Sequence, residues 1–184
     1  CLPEATPSRI MDEALREFVR QRAGERCEYC LLPQSAARFF TFHVEHIRAK
    51  QHGGQDIESN LALACPDCNA HKGPNLTSID SLTDTVVSIF NPRAENWEDH
   101  FVRQEAVILG VTAVGRATVE LLNMNEAERV EMREELLTNG DGSCRTRNKK
   151  DFDTATISGF NPEEWLALQE VAALEAKLTP PPGS

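Results

Sequence analysis

Two Cys-x-x-Cys pairs, Cys27/Cys30 and Cys65/Cys68, bracket a segment rich in groups that handle protons and hard cations. Between them stand Glu45 and His46 as a dipeptide, and then Asn60. Asn69 and Lys72 follow the second pair. Thiolates suit a soft tetrahedral ion such as zinc, whereas carboxylate and carboxamide oxygens suit a hard one such as Mg2+ or Mn2+. A thiolate-bound metal beside a carboxylate, an imidazole and two carboxamides is chemistry for hydrolysing phosphodiesters.

The four cysteines read as a structural Zn2+ site. Each pair offers two sulfurs from one turn, so only two chain segments need to meet. All four coordination positions are then filled and none is left for a substrate. The second pair also opens a helix, whose N-terminal dipole favours thiolate. Disulfides would need an oxidising compartment, and no basic n-region followed by an apolar h-region begins the sequence. Cys1 and Cys144 fall outside the pattern and read as free thiols.

His46 is the candidate general base, because a neutral imidazole can take a proton from water near neutral pH. A lone histidine more often caps or decorates a surface. Here the company of Glu45, Asn60 and Asn69 favours the chemical reading. Glu45 offers a hard anionic oxygen and Asn69 a neutral one, a sparse site that keeps several waters on Mg2+ or Mn2+. The plain alternatives are a solvated strand carboxylate and a helix-surface amide. Adjacent strand residues face opposite ways, so Glu45 and His46 reach one phosphate only if the strand ends or bends there. Asn60 is placed to tie down the intervening loop and orient His46, or is a simple turn residue. Lys72 lies three positions after Asn69 on the same helical face and is a candidate phosphate contact. His43 shares a strand face with Glu45 and is a candidate substrate contact. Arg48 and Lys50 are phosphate contacts or a solvated face, His71 lies two after Asn69 on another face and is a weaker ligand candidate, and His52 reads as loop surface.

The elements that must position these groups follow from pattern. Apolar pairs at Ile10/Met11, Ala14/Leu15 and Phe18/Val19 predict an amphipathic helix over 9–23, capped by Ser8 and ended by Gly24. Aromatic and branched residues predict a strand over 39–47 and a second over 61–64. Gly53-Gly54 marks a turn, Cys65-Pro66 opens a helix and Gly73-Pro74 stops it. Beyond residue 76 the pattern predicts strands over 86–90 and 105–109. It also predicts helices from a Thr112 cap to Leu122 and from an Asn125 cap to Leu137. A polar loop over 138–150 and a helix from Asn161 to Leu178 complete the chain. The expected class is α+β: a zinc-stapled strand–strand–helix core over 25–75 and an N-terminal helix over 1–24 packed on it. A mixed extension over 76–137 and a tail of unread role over 138–184 follow.

The chain has 184 residues, 40% of them hydrophobic, enough for one ordinary core or a small core with appendages. No apolar run reaches the ~18–20 residues needed to cross a bilayer, so the expectation is a cytoplasmic protein that meets no membrane. A formal net charge of −10 argues against nucleic acid. The charge is uneven, however: residues 20–75 carry seven Lys/Arg against six Asp/Glu, and the acidic excess follows residue 76. Non-specific affinity for a polyanion should be modest and salt-sensitive.

The segment from Cys27 to Gly73 resembles the HNH endonuclease family. The resemblance rests on the paired cysteines, the acid–His dipeptide, Gly53-Gly54, Asn60-Leu61 and the Cys-Asn-x-x-Lys-Gly ending. It implies a ββα-metal finger that cuts DNA, leaving 5′-phosphate and 3′-hydroxyl ends. The three family letters fall on His46, Asn60 and Asn69, with asparagine in place of the final histidine. By this resemblance His46 activates water, Asn60 orients it, and Glu45 with Asn69 holds one divalent ion. Members with a third protein ligand carry a histidine where Gly73 stands, so a weaker site is expected. A monomer should nick and a homodimer could break both strands. Residues 86–137 resemble the extension of a bacterial subgroup, and the C-terminal region is a candidate surface for a protein partner. The competing readings are a non-catalytic zinc-stapled module that binds DNA or protein, and an RNA-cutting finger.

Overall fold

The computed structural model describes residues 11–37 and 39–139. Cys1, Ser8, Cys144 and the predicted helix over 161–178 lie outside these residues, as does nearly all of the 138–150 loop.

Helix α1 runs Glu13–Arg22, later than the apolar spacing predicts. Residues 11 and 12 are not helical, and Asp12 is the N-cap, its Oδ1 accepting from Ala14 N at 3.3 Å. Gly24 follows the last turn at φ 58°, the left-handed conformation that ends helices at low cost. Val19 is fully buried while Phe18 on the same helix remains 41% exposed. Val19 joins the core with Leu15 packed against it, and two arginines add polar ties. Arg20 donates Nη2 to Phe42 O at 2.8 Å. Arg22 donates to Glu58 O at 2.8 Å and Leu61 O at 2.7 Å.

Strands β1 (His43–His46) and β2 (Leu61–Ala64) form an antiparallel pair with His43 opposite Ala64 and His46 opposite Leu61. The first strand is shorter than expected. Phe39 and Phe40 stand in solvent at 92% and 65% exposure, and the ladder begins only at His43. The Gln34 carboxamide holds the approach, donating to Phe40 O and accepting from Phe42 N, both at 2.7 Å. Strand β2 is buried along its whole length and runs into α2 (Pro66–Lys72) as predicted, with Cys65 as N-cap and Pro66 in the first turn.

The chain after α2 forms two further hairpins. They are β3 (Thr77–Asp80) with β4 (Thr85–Ser88), and β5 (Phe101–Gln104) with β6 (Val107–Gly110). The short helix α3 (Trp97–His100) precedes β5. Helix α4 (Ala113–Leu121) starts at Thr112, whose hydroxyl accepts from Gly115 N, and it packs on β3, β4 and β6. A Cβ at Gly115 would lie 2.1 Å from His100 O, which explains a glycine inside that helix.

Two expectations change here. The predicted strand over 105–109 falls on the turn and second strand of a hairpin: Glu105 lies in the turn at φ 53°, β6 begins only at Val107, and β5 precedes it unpredicted. Asn125 does not cap α5 (Ala127–Thr138). It bridges the backbone of Ile108, accepting at 2.9 Å and donating at 2.7 Å, and Glu126 takes the cap position.

One apolar core runs through the finger and the extension, uniting the four cysteines, Tyr29 and Leu63 with Phe90, Phe101, Ile108 and Met124. Trp97 Nε1 donates to Tyr29 O at 2.8 Å, fastening α3 to the cysteine turn. No helix among the described residues is long and apolar enough to cross a membrane.

Candidate active site

The four cysteines form the candidate metal centre. Cys27, Cys30, Cys65 and Cys68 are all at most 1% exposed, and their Sγ atoms lie within 4.8 Å of one another. Cys30 Sγ and Cys65 Sγ are 3.8 Å apart. Tetrahedral Zn–S bonds of about 2.3 Å place sulfurs about 3.8 Å apart, so the donor set fits zinc. The first pair sits in a tight turn closed by Cys27 N→Leu32 O and Leu31 N→Cys27 O, both 2.9 Å. That turn is tied to β2 by Glu28 N→Leu63 O and by Leu63 N→Glu28 Oε2, both 2.8 Å.

A tetrathiolate zinc carries a net double negative charge, and burying it uncompensated is expensive. The extension supplies the compensation. Arg129 on α5 directs Nη2 at Cys68 Sγ, 3.0 Å away. Its head also donates to Leu122 O and Asn123 O. Burial pulls the Arg129 pKa down, and the thiolates overcome that and raise it. Arg103 donates to Cys30 O at 3.3 Å from β5. No local pattern marked either arginine, since both arrive from remote elements.

Glu45 and His46 close β1, and their side chains go different ways, as strand alternation requires. Glu45 is 7% exposed. Its Oε1 accepts from the Tyr29 hydroxyl, and its Oε2 is 3.1 Å from Lys72 Nζ. Tyr29, the chain's single tyrosine, stands inside the first Cys-x-x-Cys pair. Burial, then the Glu45 charge, push its phenol well above the usual range.

Lys72 is 1% exposed and is not placed to meet a phosphate on the helix surface. Its ammonium turns inward to His46 O at 3.1 Å and Ile47 O at 3.0 Å. Helical spacing predicted a face shared with Asn69 and a surface position, whereas the side chain is buried. The unpaired carbonyls where β1 ends draw it inside, because a buried ammonium needs acceptors.

The His46 ring is 18% exposed, and its Nε2 is 2.6 Å from Asp56 Oδ1. Asp56 also takes Lys50 Nζ at 2.7 Å on the same oxygen. The Lys50 bond, then the His46 bond, hold the Asp56 carboxyl below its usual range. Asp56 lies in the Gly-Gly loop ten residues after His46, and only its acidic character hinted at it.

Asn60 staples that loop with every polar atom of its amide. Oδ1 accepts from Arg48 N at 2.9 Å, and Nδ2 donates to Arg48 O at 3.1 Å and Gln55 O at 3.0 Å. Its carbonyl accepts from Ile47 N at 2.9 Å, adding one rung to the β1–β2 ladder. Gly54 completes the closure, since a Cβ there would lie 1.7 Å from Arg48 O.

Asn69 is half-buried on α2, and its side chain makes no hydrogen bond among the described residues. His43 is exposed at the start of β1 and Arg48 is exposed in the stapled loop, its Nε donating to His52 O. Among the described residues no hydrogen bond joins the side chains of His46, Glu45 and Asn69. An open groove lined by Leu15, Phe18, Arg22, Asp56, Ile57 and Arg93 adjoins the site through Asp56 alone.

The oxygens of Glu45 and Asn69 are the right kind for a hard divalent ion. Each Glu45 oxygen keeps a second lone pair beyond the one already used. Lys72 stands against the same carboxylate, so a second cation there meets charge opposition.

Residues 27–75 match the family model described as HNH endonuclease. The matched segment opens at the first zinc-site cysteine and closes just beyond α2, so it holds both Cys-x-x-Cys pairs, Glu45, His46, Asn60 and Asn69. No curated protein and no solved structure matches the chain.

Proposed function

We propose that the protein is a metal-dependent endonuclease that hydrolyses DNA phosphodiester bonds, with His46 as the general base. The observation that carries this reading is the placement of His46. Its ring is part-exposed at the end of a zinc-stapled strand, beside a loop stapled by Asn60. The family match over the same segment supports it.

In this account His46 takes a proton from a water, and the resulting hydroxide attacks phosphorus in line with the 3′ oxygen. The P–O bond to that oxygen breaks, giving 5′-phosphate and 3′-hydroxyl ends. Glu45 and Asn69 are the residues that would hold one divalent ion, Mg2+ or Mn2+. Such an ion supplies positive charge against the phosphate oxygens when bound. Asn60 keeps the loop, and with it the base, in position. The zinc centre takes no part in the chemistry. Arg48 and His43 are the exposed candidates for backbone contact; Lys72 instead supports the strand from inside. A single finger cuts one strand, so a monomer nicks and a homodimer would cut both.

The test is supercoiled plasmid incubated with purified protein and Mg2+ or Mn2+. Conversion to nicked circles that stops on chelation supports the proposal. The second reading, a zinc-stapled binding module without catalysis, is favoured by one observation: Glu45 is buried and paired with Lys72. Retained DNA or protein binding with no cutting under either metal supports that reading. Preference for RNA over DNA in the same assay identifies an RNA-cutting finger.

A further inference from the structure

His46 needs one defined nitrogen free to accept a proton, and a neutral imidazole has two tautomers. The ring's Nε2 lies 2.6 Å from Asp56 Oδ1. An ionised carboxylate only accepts, so the neutral ring must carry its proton on Nε2 there. From this geometry we infer that Asp56 is a positioning residue that makes Nδ1 of His46 the proton-accepting nitrogen. The inference rests on the proposed role of His46 as base.

The carboxylate is delivered by the same device that shapes the loop. Asn60 Nδ2 holds Gln55 O at 3.0 Å, one residue before Asp56. The ring is delivered by β1, whose ladder is extended one rung by Ile47 N→Asn60 O at 2.9 Å. Asn60 therefore fixes both partners of the His46–Asp56 bond.

Lys50 adds a second constraint. Its Nζ is 2.7 Å from the same Asp56 oxygen, so the carboxylate is shared between a cation and the ring. Lys50 keeps Asp56 anionic and so an acceptor. A plain surface ion pair between Lys50 and Asp56 would not need the ring at 2.6 Å with 18% exposure. In the reaction the water proton moves to Nδ1, the hydroxide forms the new P–O bond, and the 3′ oxygen leaves and takes a proton from solvent.

The experiment uses the zinc-loaded full chain, labelled with 15N, and reads the histidine tautomers by long-range proton–nitrogen spectra. The His46→Ala variant identifies the signals of His46. The wild type should show His46 protonated on Nε2. Asp56→Ala should shift those signals to a mixture of tautomers while zinc content stays unchanged. Plasmid nicking by Asp56→Ala should lose up to about 100-fold in kcat, the cost of a misplaced catalytic group, with KM within about twofold. Asp56→Glu should recover part of that loss. Wild-type-like tautomer signals in Asp56→Ala, or unchanged kcat, overturn the inference. If the wild type does not nick at all, the nuclease reading fails, and the spectra still decide whether Asp56 sets the tautomer.

Discussion

Arg129 Nη2 lies 3.0 Å from Cys68 Sγ, so a helix more than sixty residues downstream closes the charge of the metal centre. The finger and the extension are joined by electrostatics at the thiolates as well as by a common core. Arg129→Met should weaken zinc retention about 10–100-fold, because a buried anionic centre loses its counter-charge. Timed release of zinc to a chromogenic chelator measures it. Release at the wild-type rate would show that the contact does not hold the ion.

Stripping the metal should do more than empty a site. Four buried thiols without an ion leave the Cys27–Cys30 turn and the start of α2 joined only by the Glu28–Leu63 hydrogen bonds and packing, and small thiolate modules lose their fold with their metal. Chelation should lower the thermal midpoint and melt β1, β2 and α2, as followed by circular dichroism with parallel zinc analysis. Readdition of zinc should restore the signal.

Lys72→Met should cost about 3–5 kcal/mol, since it leaves Glu45 buried without its cation and two carbonyls without a donor. Glu45→Gln combined with Lys72→Met should cost less than the sum, which a double-mutant cycle in urea will show. Full additivity would mean that the pair is not coupled.

Acid should act on a different pair. Asp80 is fully buried, and the Arg116 fork holds it through two 2.7 Å bonds. The bond to Arg116 keeps its carboxyl below the usual range, although burial alone would raise it. A folded pKa below the unfolded value gives stability that is complete above the ordinary carboxylate pKa of about 3.9. That stability is lost as pH falls through the lower folded value. Asp80→Asn should therefore be destabilised at pH 7 by about 3–5 kcal/mol. The gap to wild type should narrow below about pH 4, as read from urea midpoints across the range. A pH-independent gap would remove Asp80 from the acid limb.

Gly54→Ala should disturb the site without touching the metal. The added methyl meets Arg48 O at 1.7 Å and Asn60 Nδ2 at 2.9 Å, so the stapled loop must shift. Nicking should fall at least about tenfold while zinc content holds. Wild-type nicking would mean that the loop does not position the base.

Much of this was legible because its chemistry is local. Cys27/Cys30 and Cys65/Cys68 announce themselves by spacing, Cys65-Pro66 by helix-start chemistry, and Asn60 by the loop it must close. The rest depended on what meets in space. The inward turn of Lys72 follows from carbonyls that β1 leaves unpaired, and helical periodicity cannot show those. Tyr29 reads as spacer between two ligands until Glu45 is placed beside it. Asn125 has the composition of a cap, yet the Ile108 backbone needed its amide more. Phe39 and Phe40 have strand propensity, but no partner strand extends to meet them.

The central claim is that the His46 imidazole takes the proton from the attacking water. The most direct measurement compares wild type and His46→Ala on supercoiled plasmid with Mg2+ or Mn2+, at matched zinc content and matched circular dichroism. The account predicts nicking by the wild type and a loss of at least about 100-fold in the variant. Equal cutting by both proteins would contradict it.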